Sequence, residues 1–260
     1  MKIFTHYLYR TIKHPVNLAV YLLLPAVIIA LNVMIFDGQM EGTDHIVNGF
    51  NLAATAPVIQ IMVMFQLFGT SLVYDHLYAD FRSDRRWRLL AAPKSLGSYL
   101  RANLCAAVIV SMVSGTVLML AGRFIFNAYL FNVPVLFATM FALTALAMGV
   151  GLIIFLVTEK KSAAEGLAHA FVWPQFIPIM MGLAAEGPMH FIFQRATPAA
   201  LGMNAIAFSS GFDVDLAGTG VGTAITDYDM TRSLTYLGIL FAIAAVVWVV
   251  AMVMGKHKKF

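Results

Sequence analysis

The chain has 260 residues, of which 60% are apolar and only 12% charged, and a net charge of +4 at neutral pH. Too little charge to cover a water-facing surface, and far more apolar side chain than one soluble core of this size uses, exclude an ordinary soluble enzyme. The positive balance is a sum of opposed basic and acidic loops rather than a basic stripe interleaved with aromatics, which excludes a nucleic-acid partner.

In chain order, residues 2–14 read as an amphipathic helix. Ile3, Phe4, Tyr7, Leu8 and Ile12 recur on one face, and Lys2, His6, Arg10 and Lys13 on another. Such a helix lies in a membrane interface. The interfacial segment spans 1–15 and ends at Pro15, where the chain turns to cross the bilayer. Six apolar runs follow, at 17–36, 52–74, 99–121, 133–157, 163–184 and 233–254. A hydrocarbon core of about 30 Å needs roughly 20 such residues per helix. Runs of this length satisfy their own backbone hydrogen bonds as helices, whereas barrel strands are about half as long. The expected fold is therefore all-α: a polytopic membrane protein with six transmembrane helices in one domain over 1–260. The first run is longer than a signal-peptide core and lacks small residues at its end, Asn32–Phe36, so it is expected to remain a span. The one cysteine, Cys105, reads as a small buried apolar side chain.

The charges orient these runs. Lys2, Arg10, Lys13, Arg82, Arg85, Arg86, Arg88, Lys94, Arg101, Lys160, Lys161, Lys256, Lys258 and Lys259 fall on one side, leaving only Arg123, Arg195 and Arg232 on the other. The positive-inside rule makes the first side cytoplasmic, with both termini there. The opposite segments carry Asp37, Glu41, Asp44, Glu186, Asp213, Asp215, Asp227 and Asp229, an acidic external face.

Two connections are too patterned to be plain linkers. The cytoplasmic loop 75–98 has no Gly or Pro from Asp75 to Leu90, pairs Asp84 with Arg88 at helical spacing, and offers Leu77, Tyr78 and Phe81 as an apolar edge. A cytoplasmic helix over 75–90 is expected, ending before Pro93, with Ser95 or Ser98 capping the third span. The fifth run holds Pro174 and Pro178, which are expected to break it, and is followed by a long external segment, 185–232. There Gly187-Pro188 signals a turn, 189–195 is amphipathic, and Pro198 opens an apolar stretch to Phe208 too short to span. A re-entrant hairpin between the last two spans is the natural reading, followed by a Gly/Thr/Asp-rich loop.

Catalytic constellations are missing from the pattern. The seven histidines form no His-Glu-x-x-His, and no Gly-x-Ser-x-Gly occurs. Asp213-Val-Asp215 and Asp227-Tyr-Asp229 lie in a solvated loop with nothing around them to fix metal geometry, so no metal site is expected. The glycines at 218, 220 and 222 lack a preceding strand, and Gly255-Lys256 lacks the upstream Gly of a Walker A loop. The chain itself is thus expected to be non-catalytic and without a cofactor, any energy from ATP being supplied by a partner. Polar groups at membrane depth are costly and mark candidate substrate paths. Glu165 and His169 share a helix face at i, i+4, and Gln60, Gln66 and Gln175 are the uncharged candidates, with interhelical hydrogen bonding as their competing role. Gln60 and Gln66 lie about 120° apart on a helix, so they make no single stripe. Ser111 with Gly115, and Ala147 with Gly151, are spaced for close helix contacts.

The run Asp80-Phe81-Arg82-Ser83-Asp84-Arg85-Arg86-Trp87-Arg88-Leu89-Leu90-Ala91-Ala92-Pro93, then Tyr99, resembles the charged loop of the ABC-2 type permeases, the membrane subunits of type-2 ABC exporters. Asp80 stands where that family often has Glu, and Arg86-Trp87 replaces its usual Gly-Thr. Pro188 and the run Thr197-Pro198-Ala199-Ala200-Leu201 are similar to the family's external hairpin, and the amphipathic leader and six spans match its architecture. The resemblance implies a half-transporter in a bacterial cytoplasmic membrane, embedded in lipid. A second six-span permease, identical or homologous, pairs with it, and two ATPase subunits, which bind ATP and Mg, dock below. It makes 75–90 a coupling helix in which Asp80, Phe81, Arg82, Asp84, Arg85, Arg86 and Arg88 contact the ATPase, with Phe81 as apolar anchor. The implied cargo, moved outward, is hydrophobic or amphipathic: a drug, an antimicrobial peptide or a lipid. A stand-alone secondary transporter or channel is the alternative, and would need buried carboxylates for coupling ions.

Overall fold

A computed structural model describes residues 2–13, 19–39, 46–47, 50–83, 86–87, 91, 96–180, 192–211 and 228–257. Within these the protein is almost wholly helical. Helix α1 (Lys2–Lys13) is followed by a π-helical turn, Ala19–Leu23, that leads into α2 (Leu24–Gln39). A two-residue ribbon of β1 (Ile46–Val47) and β2 (Phe50–Asn51) precedes α3 (Leu52–Phe68) and α4 (Thr70–Phe81). Then come α5 (Leu96–Phe124), α6 (Val133–Val157), α7 (Lys161–Met180), a second π-helical turn (Ile192–Ala196), α8 (Pro198–Ser210) and α9 (Met230–His257).

Four stretches are long and apolar enough to cross a membrane: Ala54–Phe81, Gly97–Phe124, Val133–Val157 and Met230–Lys256. Six spans were expected from the sequence. Ala19–Met34 is a shorter apolar helix, and Lys161–Met180 carries Lys161, Glu165, His169 and Gln175 along its length. The membrane character of the chain rests on the four.

The bundle is built around α6. Its sequence is apolar on every side, as expected of a helix enclosed by others, and it packs against α9, α4, α8, α3 and α5. Asn132 starts it, its side chain accepting the Val135 N–H at 3.3 Å. In contrast, α9 turns Leu234, Phe241, Val246, Val249, Val250 and Val253 outward, an apolar face suited to lipid rather than water.

Close approach is set by small residues where the sequence placed them. A Cβ on Gly151 would stand 2.7 Å from the Thr70 carbonyl oxygen, which is backbone and cannot swing away. Glycine here lets α6 lie directly on the start of α4. Gly69 has helical torsions, φ −51° and ψ −20°, so α3 and α4 continue as one path from Ala54 to Phe81.

The short helix α8 is buried on almost every side, among α9, α6 and α3. Thr197 caps it by accepting the Ala200 N–H at 3.2 Å, Pro198 opens its first turn, and Gly211 closes it at φ 68°, a left-handed torsion that glycine adopts without strain. Gln175 accepts the Ala199 N–H at 3.1 Å, and Ser233 donates to the Ala205 carbonyl at 2.7 Å.

Four local expectations are corrected. The helix expected over 75–90 stops at Phe81: Arg82 leaves helical torsions (φ −114°, ψ 5°), and Arg86 and Trp87 belong to a separate turn. Helix α7 is continuous through Pro174 and Pro178 to Met180 rather than broken. Cys105 is exposed on the outer face of α5, so its small apolar side chain is not a core element. Along α1, Tyr7 of the expected apolar face is buried with Thr11, and Ile3, Phe4 and Leu8 are half-buried, but Ile12 is exposed, so the docked face is turned toward Thr11 and away from Ile12.

Candidate functional site

Three polar clusters stand out in the apolar bundle, and helical spacing builds each of them. The first joins α1 to the end of α4. Tyr7, Arg10 and Thr11 share a face of α1, at i, i+3 and i+4, and His76 and Asp80 share a face of α4 at i, i+4. The Tyr7 hydroxyl donates to Asp80 Oδ2 at 2.6 Å and Arg10 Nη1 donates to Asp80 Oδ1 at 2.7 Å, so both carboxylate oxygens are engaged. Asp80 is buried and Arg10 only partly exposed, which makes this a charge-assisted contact of consequence. The Thr11 hydroxyl donates to the Tyr7 carbonyl at 3.0 Å and lies 2.9 Å from His76 Nε2. The network closes when the neutral His76 ring carries its proton on Nε2 and donates to Thr11. Burial, followed by the hydrogen bond to Asp80, raises the Tyr7 phenol above its ordinary value, keeping it a neutral donor.

Gln66, at the centre of the bundle, holds the second cluster. Its Oε1 accepts from Ser111 Oγ at 2.9 Å and from Thr144 Oγ1 at 2.6 Å, and its Nε2 donates to the Ser111 carbonyl at 3.3 Å. One side chain thus ties α3 to α5 and α6. With oxygen and nitrogen both committed, Gln66 is an interhelical tie.

The third cluster lines a cavity of about 350 Å³ bounded by the Ala19–Leu23 turn, α2, α3, α4 and α7. Trp173 donates its indole N–H to His169 Nδ1 at 3.2 Å, and both rings meet Phe68 edge-on, at 5.6 and 6.2 Å between centroids. Glu165 sits on the same wall. Lys161 Nζ lies 2.9 Å from Asp75 and 3.7 Å from Glu165. The hydrogen bond to Asp75, the largest influence on it, raises the Lys161 ammonium above its ordinary value.

No family model, no curated protein and no solved structure matches this chain. What the chain does is therefore to be read from its own sites.

Against that geometry the residues singled out in the sequence divide clearly. Glu165 and His169 come together at the third cluster, as their spacing implied. Gln175 is buried and committed, donating to the Phe171 carbonyl at 2.7 Å while it caps α8. Gln60 is half-buried on a different side of α3 from Gln66. Pro198 opens α8, whereas Pro188 lies outside the described residues. Asp80 and Phe81, expected from the resemblance to contact an ATPase, are both buried inside the chain: Asp80 is held by Tyr7 and Arg10, and the Phe81 ring packs 6.2 Å from Phe155. Arg82 is exposed, its guanidinium 5.7 Å from the Phe155 ring, and Arg86 stacks on the exposed Trp87 at 5.8 Å. Asp84, Arg85 and Arg88 lie outside the described residues. Missed from the sequence were Tyr7, Arg10, Thr11 and His76 as one latch, and Tyr21, Phe68, Tyr74 and Trp173 as cavity wall. The i, i+4 pair His76–Asp80, matched by Tyr7–Thr11, was the available signal for the latch.

Proposed function

We propose that this chain is the membrane-spanning permease subunit of an ATP-driven exporter of the ABC-2 type. The observation that supports this best is the helical path Ala54–Phe81, which passes through a turn at Gly69 whose torsions stay helical. Midway along, it carries the Gln66 tie at the centre of the bundle; at its Phe81 end it is clamped by α1 just before the basic segment 82–95. A push delivered to that loop by a partner would reach the core through a stiff helix rather than be lost in a hinge. The loop carries Arg82, Arg85, Arg86, Arg88 and Lys94, on the side that charge asymmetry makes cytoplasmic. Two ATPase subunits would supply ATP, with its Mg, and hydrolysis. A second permease, identical or homologous, would complete the path. With Asp80 and Phe81 turned inward, contact with the ATPase falls to Arg82, Arg86, the exposed Trp87 and the other basic residues of the loop.

A stand-alone secondary transporter needs a dehydrated carboxylate to carry its coupling ion. Among the described residues the buried carboxylate is Asp80, and it is paired with Arg10. The two readings part in inverted membrane vesicles holding the complete complex. Cargo uptake should require hydrolysable ATP and survive ionophores that collapse ion gradients; uptake that follows the gradient and ignores ATP would overturn the exporter reading.

A further inference from the structure

The cavity between α2, α3, α4 and α7 is lined by five aromatic rings, Tyr21, Phe65, Phe68, Tyr74 and Trp173, and Glu165 is the one acid among its lining residues. Its size is within the range of small-molecule sites, about 300 to 1,000 Å³. A wall of rings offers negative π-faces, and with a carboxylate beside them the chemistry complements positive charge carried on a greasy body.

The local charge count agrees. Lys161 is shared by two carboxylates and lies closer to Asp75, at 2.9 Å, than to Glu165, at 3.7 Å. Two acids and one ammonium leave one negative charge in excess, and the longer distance leaves it on Glu165. His169 stands beside it on the same wall, its Nδ1 accepting the Trp173 indole N–H at 3.2 Å. Glu165 is about half exposed, so an entering ligand meets it at the open edge and then the rings within.

We infer that this cavity binds a lipophilic organic cation, of the quaternary ammonium or phosphonium kind, with Glu165 as its counter-charge and the Phe68–Trp173 wall against its apolar body. As the cargo class of the exporter the inference rests on the function proposed above, but binding itself needs no ATPase. Lys161 is then an internal competitor: the ammonium already near Glu165 must share it with the incoming cation.

The test uses the purified full chain in nanodiscs of zwitterionic lipid, with equilibrium binding of tetraphenylphosphonium and of tetraphenylborate, its anionic counterpart of closely similar shape, each corrected for empty discs. Phosphonium should bind saturably and at least about tenfold more tightly than borate. Glu165→Gln should weaken phosphonium about tenfold and leave borate little changed, the loss expected of a half-exposed counter-charge. Lys161→Met should tighten phosphonium binding about threefold, a gain that a misfolded variant does not produce. Equal affinity for the two ions, or a preference untouched by Glu165→Gln, would overturn the inference. Cation binding without ATP-driven movement would instead remove the exporter reading and leave the site standing.

Discussion

Asp80 is the residue that ties α1, which packs along α5, to the end of α4. It is buried, and both of its oxygens are occupied by donors from one helix, Tyr7 and Arg10. Removing the carboxylate leaves a phenol and a guanidinium without their acceptor, so Asp80→Ala should lower stability by about 2 to 3 kcal/mol. The loss should be local: α1 should become cleavable by protease at Arg10 and Lys13 while the bundle melts almost as before. Unchanged protection of those sites would mean that α1 is held elsewhere. Asn103 is the opposite case. It is buried in α5, and neither its amide nitrogen nor its oxygen has a hydrogen-bond partner among the described residues. Since a desolvated amide without a partner costs stability, Asn103→Leu should raise the melting temperature, by the equivalent of about 1 kcal/mol. A clear drop would reveal that the amide is satisfied in the assembled complex.

Among the elements, the end of α4 changes how a mutation there is to be read. The Phe81 ring is packed against Phe155 within the chain, so Phe81→Ala should destabilise the isolated protein by about 3 kcal/mol with no ATPase present. Thermal melting of the purified variant decides between this and a partner's groove, where the isolated chain would be unaffected. A second element test lies where α6 meets α4. Gly151→Val sets a branched side chain against the Thr70 backbone and should cost about 1 to 3 kcal/mol or more, whereas the same change at Gly166, with open space around it, should be far milder. The run 133–157 was legible in the sequence to the residue, because α6 is apolar throughout and starts at a capping Asn. The third run emerged longer at both ends, as Leu96–Phe124. The amphipathic leader was legible as a helix but not in its docking, since periodicity names a face without naming what meets it. The helix assumed to run past Phe81 was not legible: absence of Gly and Pro permits a helix, while its actual end follows packing of Phe81 and Tyr78 on Phe155. Glu165 and His169 could be read as one face from spacing, but all the rings that make a cavity of it except Trp173 come from three other elements, which spacing along one helix does not reveal.

On the scale of the whole molecule, the exporter proposal rests on an apolar outer surface, a core tied by Gln66 and a charged segment at the end of a clamped helix. The chain contains no phosphate-cradling Walker A pattern, so the central claim is that its energy comes from a separate protein. Gentle solubilisation of native membranes, followed by capture of this chain by a tag and analysis of what accompanies it, tests that claim most directly. An ATPase of roughly 25 to 35 kDa, the size of one or two compact domains, should co-purify in equal copy number and confer ATP hydrolysis on the preparation. Capture of a monodisperse, transport-competent chain with no nucleotide-hydrolysing partner would contradict it.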